Sequence, residues 1–137
     1  MELIRENQIS SSQVADLLKL AQNSPIKRAR ACLHGSDSEL LHVMLIVALK
    51  ESDIPIHRHG NRDEYYVVLD GKLELSLYDE VLSVKEEKSL NPYGSPGVFT
   101  NFVRTNEWHQ IKILSEFAVF LEITQGPFRR EATDFPT

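Results

Sequence analysis

The sequence predicts an all-β domain, an antiparallel sandwich or barrel, preceded by one short α-helix. Three observations carry that expectation. Roughly nine strand-like runs follow one another at short spacing from residue 26 onward, separated by Gly, Pro, Asn, Asp and Ser. Only the segment after Ser10 has clear helical periodicity. Asp70-Gly71 lies between two runs of strand character and is the two-residue hairpin signal.

A length of 137 residues suits one domain, with residues 1–25 as a helical segment and 26–137 as the β-domain. Fifteen Lys and Arg against 20 Asp and Glu give a net charge of −5, which disfavours nucleic acid or an anionic membrane as the main partner. Cys32 is the single cysteine, so no internal disulfide forms, a reducing compartment fits, and a buried inert thiol is the simplest role. The N-terminus lacks a basic-then-apolar pattern, and the run Val43 to Leu49 is too short to span a bilayer. A soluble cytoplasmic protein is expected.

In chain order, Ser10 opens the helix with Gln13 as capping-box partner and Ile9 and Val14 at staple spacing. The stripe Val14, Leu17, Leu18, Ala21 gives it one apolar face, and Asn23-Ser24-Pro25 ends it. From Ile26 to His34 an extended chain shows Arg28 and Arg30 on one face and Lys27 on the other. Two readings stand for this run: a charge-guarded edge strand, or an anion clamp in which two guanidiniums grip a carboxylate or phosphate. Leu40 to Lys50 is apolar on both faces and reads as a strand covered on both sides, with His42 on the face of Met44 and Ile46 as a core residue. Ile54 to His59 follows as an extended run in which Pro55 suits an edge or a strand start.

Pairing across Asp70-Gly71 would set Val68 opposite Leu73, Tyr66 opposite Leu75 and Glu64 opposite Leu77. Glu64, Tyr66, Val68, Leu73, Leu75 and Leu77 then share the more apolar face, which should look inward. Tyr65, Val67 and Leu69 on the other face ask for cover by the helix or by a second subunit, so a homodimer fits. Val81 to Leu90, Val98 to Arg104, Trp108 to Leu114 and Ala118 to Thr124 are further strands, and the tail from Phe128 has no period and is expected on the surface.

His57 and His59, at i and i+2, can present two imidazoles to one side of an extended segment. The inward face brings Glu64, whose carboxylate needs compensation there, and His109 could close the set from across a barrel. Three imidazoles and a carboxylate suit one divalent transition metal, with zinc, iron, manganese, nickel and copper all open.

The run His57-x-His59, four residues, Glu64, six residues, Gly71 resembles the first motif of the cupin superfamily, and His109 stands where the histidine of the second belongs. The resemblance implies a double-stranded β-helix, or jelly-roll barrel, with the metal inside. Arg104 and Asn106 replace the proline and glycine of the second motif, and Asn tolerates positive φ better than most residues. From Ser24 onward the chain is similar to WbuC-type cupin metalloproteins. The matching pieces are Ser24-Pro25, Arg28-x-Arg30, Leu33-His34, the first motif, Trp108-His109, Glu122 before Gly126-Pro127-Phe128, and the ending Ala132 to Pro136. That family is encoded in some bacteria among genes for O-antigen polysaccharide.

The expected function is a metal-dependent enzyme acting on a small carbohydrate or related anionic metabolite, by isomerisation or epimerisation. Arg28, Arg30 and His34 would hold the anionic part. Tyr66 is a core tyrosine or a proton donor. Glu122 is a general base if it shares the inward face with Ala118 and Phe120, although Val119, Leu121 and Ile123 make an equally good core face. Iron-dependent dioxygenase chemistry and a non-catalytic sugar- or metal-binding module are the alternatives.

Overall fold

A computed structural model describes residues 2–137. In chain order its elements are β1 (Glu2–Arg5), α1 (Ser11–Asn23), β2 (Arg28–Cys32), β3 (Leu41–Leu49), β4 (Arg58–His59), β5 (Glu64–Asp70) and β6 (Leu73–Tyr78). There follow β7 (Val84–Leu90), β8 (Thr100–Val103), β9 (Trp108–Ile113), β10 (Phe117–Gln125), a 3-10 turn (Arg130–Ala132) and β11 (Thr133–Asp134).

The helix starts where its capping box places it. Gln13 N–H donates to Ser10 Oγ at 3.3 Å, and Ser10 N–H donates to Gln13 Oε1 at 2.7 Å. Its buried side chains, Leu17 and Ala21, pack on Ala29, Ala31, Leu45, Val47 and Val119. Two alanines on the outer face of β2 leave room for the helix to lie close to the sheet.

One sheet has the order β1-β2-β3-β10-β5-β8, a second β7-β6-β9, and β4 pairs with β11. Among the described strands, β1 and β2 are the pair that runs parallel. Between the sheets lies the main core, where Met44, Ile46, Tyr66, Val68 and Phe120 from the large sheet meet Leu73, Leu75, Leu77, Ile111 and Ile113 from the small one. This is the expected all-β jelly-roll arrangement with a short N-terminal helix.

The structure corrects the pairing across Asp70-Gly71. β5 pairs with β10 and β8, while β6 pairs with β7 and β9, so the chain turns a corner from one sheet to the other. What the dipeptide encodes is a tight turn with positive φ, here +77° at Gly71, and not ladder partners. Glu64, Tyr66, Val68, Leu73, Leu75 and Leu77 are nonetheless all buried, because facing depends on alternation within each strand.

Further expectations change. β1 pairs outside β2, so the arginine-bearing strand is not an edge. The helix covers β2 and β3, leaving Tyr65 and Leu69 of β5 exposed. Residues 54–57 form no strand, leaving β4 two residues long, and the tail is not loose on the surface: β11 pairs with β4, with Thr133 opposite His59.

Candidate metal centre

Three segments deliver four donor side chains to one point. His57 and His109 exchange backbone hydrogen bonds, N to O 3.0 and 2.9 Å, so the segment carrying His57 and His59 lies alongside β9. Asn106 adopts φ 67° in the turn before β9 and donates its N–H to the His59 carbonyl at 2.8 Å. Asparagine therefore fills the position where the cupin motif has glycine, at modest conformational cost. Glu64 enters from the start of β5.

The donor atoms of His57, His59, Glu64 and His109 lie within 4.8 Å of one another. Glu64 Oε1 stands 3.0 Å from His59 Nε2 and 3.3 Å from His109 Nε2. These spacings suit adjacent ligands on metal bonds of about 2.1 Å. On the far side of each ring, Nδ1 of His57 and of His109 donates to the carbonyls of Pro55 and Glu107, both at 2.9 Å, which leaves Nε2 with its lone pair. His59 Nδ1 lies 3.0 Å from Thr133 Oγ1 and 3.1 Å from Arg62 Nη2.

Glu64 is 1% exposed, and neither carboxylate oxygen has a hydrogen-bond partner. A buried acceptor left so costs about 1–3 kcal/mol, more for a charge. With all four donor atoms within 4.8 Å of one another, a divalent cation among them would satisfy the imidazole nitrogens and the carboxylate together. The donor set therefore fits a metal, and its chemistry admits zinc, iron, manganese or nickel.

Electrostatics separate the two inner acids. Burial favours the neutral form of Glu64, but Glu122 and the His109 and His59 imidazoles together hold its carboxyl well below the usual range. Burial, and then the charge of Glu64, push the Glu122 carboxyl well above it. Burial and the adjacent His109 push the His57 imidazole down to about 4, so it is neutral near pH 7.

Beside the donors opens a cavity of about 580 Å³. Arg28, Arg30, His34 and Glu122 line it with His57 and His59. Arg28 Nη1 donates to Ser52 Oγ at 2.9 Å and to the Asp53 carbonyl at 3.2 Å. His34 stacks on His42, ring centroids 3.9 Å apart. Glu122 points inward in register with Ala118 and Phe120, and Tyr66 Oη donates to Glu122 Oε1 at 3.4 Å while lying 3.3 Å from His109 Nε2. Tyr66 itself is wholly buried among core residues.

Arg62, Phe128, Thr133 and Phe135 also line the cavity, and the sequence assigns none of them a role at the site. Arg62 sits in a polar loop with no period, and Thr133 reaches the centre only because the tail folds back.

Residues 9–90 match the family described as Domain of unknown function (DUF6016). The chain belongs to that family. No curated protein sequence matches this DUF6016 chain. Its fold is similar to that of KdgF from Halomonas sp., at 16% identity and TM-score 0.58, over 79% of this chain and 86% of that one. It is also similar to Lactobacillus farciminis oxalate decarboxylase in a formate complex, at 11% identity and TM-score 0.56, over 71% of this chain and 27% of that one. Bacillus subtilis oxalate decarboxylase, described for its Mn(II) centers, gives 16% identity and TM-score 0.54 over 71% and 24%. The DUF6016 chain thus has a cupin fold and spans about a quarter of the decarboxylase chains. Among its described residues no helix is long and apolar enough to cross a membrane.

Proposed function

We propose that this cupin is a WbuC-type, metal-dependent enzyme that isomerises or epimerises a small anionic carbohydrate or related metabolite, in the cytoplasm and within surface-polysaccharide biosynthesis. The observation that carries the reading is Glu64, whose two buried oxygens lack hydrogen bonds beside three imidazoles, next to a cavity of about 580 Å³. A metal serving only to staple the barrel needs neither that cavity nor a second acid, the half-buried Glu122, in its wall. Similarity in fold to enzymes named for oxalate, one described for its Mn(II) centers, supports an anionic ligand and a bound metal.

A divalent ion on His57, His59, Glu64 and His109 would supply Lewis acidity to a carbonyl or hydroxyl oxygen of the ligand. Glu122 is the residue we assign to move the proton, through Oε1, with the Tyr66 hydroxyl holding the carboxyl in orientation. Taking a proton from carbon beside a carbonyl and returning it from the same carboxyl to the neighbouring carbon is isomerisation; epimerisation would need the proton for the opposite face from water in the cavity or from a turned ligand. Arg28, Arg30 and His34 form the wall that orients the anion. A second copy packed on Tyr65 and Leu69 would form a homodimer.

Metal-loaded protein incubated in deuterated water with pools of sugar phosphates and nucleotide sugars tests the reading. Deuterium entering one sugar carbon is expected, lost in His57→Ala and reduced about 100-fold or more in Glu122→Gln, with folded spectra retained. Binding of a sugar without exchange would make this cupin a binding module.

A further inference from the structure

Two cavity arginines make no direct ion pair, although both lie near enough to Glu122 to favour its charged form. Arg30 comes from β2 and Arg62 from the loop between β4 and β5, the latter only 7% exposed. In both, Nε is buried and has no hydrogen-bond partner. Neither forms an ion pair with any carboxylate among the described residues. Their polar and stacking contacts are to a thioether sulfur, a ring nitrogen and an aromatic face. Arg30 Nη1 lies 3.5 Å from Met44 Sδ, Arg62 Nη2 lies 3.1 Å from His59 Nδ1, and the Arg62 guanidinium sits 5.2 Å from the Phe128 ring centre. Two other arginines have acid partners: Arg5 pairs with Asp37 at 2.8 Å and Arg58 with Asp134 at 3.2 Å. Asp37 is the one acid of the cavity wall besides Glu122, and Arg5 already holds it.

A guanidinium withdrawn from water without a counter-charge is unfavourable, and its planar fork matches the oxygens of a carboxylate or phosphate. We infer that Arg30 and Arg62 form an oxoanion subsite in the cavity wall, so that the ligand is bifunctional: an oxygen for the metal and a carboxylate or phosphate for the two arginines. This rests on reading the cavity as a ligand site, and it replaces the sequence pairing of Arg28 with Arg30 by a pair drawn from two segments. A neutral sugar would leave both guanidiniums unmatched.

Isothermal titration calorimetry on the full chain, metal-free and metal-loaded, with gluconate, glucose 6-phosphate and glucose as probes, tests this. At least one anion is expected to bind about ten-fold or more tightly than glucose, in metal-free protein as well, and the better of the two identifies the group. Arg30→Gln and Arg62→Gln should each remove most of that preference, and Lys50→Gln, on the exposed surface, should keep it. Arg62 is buried, so if its variant fails to fold, Arg30→Gln alone decides. Equal binding of glucose and both anions, no saturable binding of either anion, or an unchanged preference in Arg30→Gln would overturn the inference. Anion preference without any sugar turnover would remove the enzymatic reading and leave the subsite, and turnover of neutral sugars without anion preference would do the reverse.

Discussion

Thr133 brings its hydroxyl oxygen to 3.0 Å from Nδ1 of His59, a residue 74 positions earlier in the chain. The pairing of β11 with β4 makes this possible, and the Arg58–Asp134 ion pair at 3.2 Å braces the same junction. Arg62 Nη2, 3.1 Å from the same His59 nitrogen, can only donate, so with the Nδ1 proton given to Thr133 the guanidinium is a neighbour and not a hydrogen-bond partner, Nε2 is free for a metal and the ring plane is fixed. Thr133→Val keeps the shape and removes the acceptor. Metal affinity should fall about ten-fold, measured by competition with a chromophoric chelator. Unchanged affinity would mean that the tail does not orient this ligand.

Gly71 controls the corner between the sheets. At φ +77° a Cβ would run into the Phe117 carbonyl and come within 2.9 Å of Ala118 Cα, so neither backbone nor neighbours accommodate it. Gly71→Ala should destabilise the fold by about 2 kcal/mol or more in urea unfolding. A change below about 0.5 kcal/mol would show that the corner relaxes.

His34 gives the stability a pH dependence. Burial, and then the stacked His42, lower its imidazole from the ordinary value of 6.5. The unfolded chain therefore takes up more protons as the pH falls below 6.5, and stability declines from there down to the folded value, flattening beyond it. His34→Asn, whose amide oxygen can still accept from Val43 N–H, should narrow the difference between urea midpoints at about pH 7.5 and about pH 5.5. An identical difference in the variant would assign that pH dependence to other groups.

The sequence made the inward set of β5 and β6 readable because alternation needs no knowledge of partners, and Glu64 and Tyr66 came with it. Partners were not readable: a two-residue turn with positive φ serves a hairpin and a corner equally well, and only packing against Phe117 and Ala118 distinguishes them. The parity of Glu122 was open on alternation because β10 has apolar residues on both sides. One side, with Ala118 and Phe120, meets the core, and the other, with Val119 and Leu121, meets the helix. Arg62 and Thr133 left no trace in periodicity, since a loop and a returning tail are placed by tertiary contacts alone.

The central claim is that His57, His59, Glu64 and His109 hold one metal ion. Elemental analysis of protein purified without a metal-affinity tag tests it most directly, alongside Glu64→Gln and His57→Ala at matched concentration. The expected result is close to one divalent ion per chain, retained through dialysis and lost from both variants while their β-sheet spectra persist. Native protein that carries no metal and takes none up on reconstitution, or variants that keep a full complement, would contradict it.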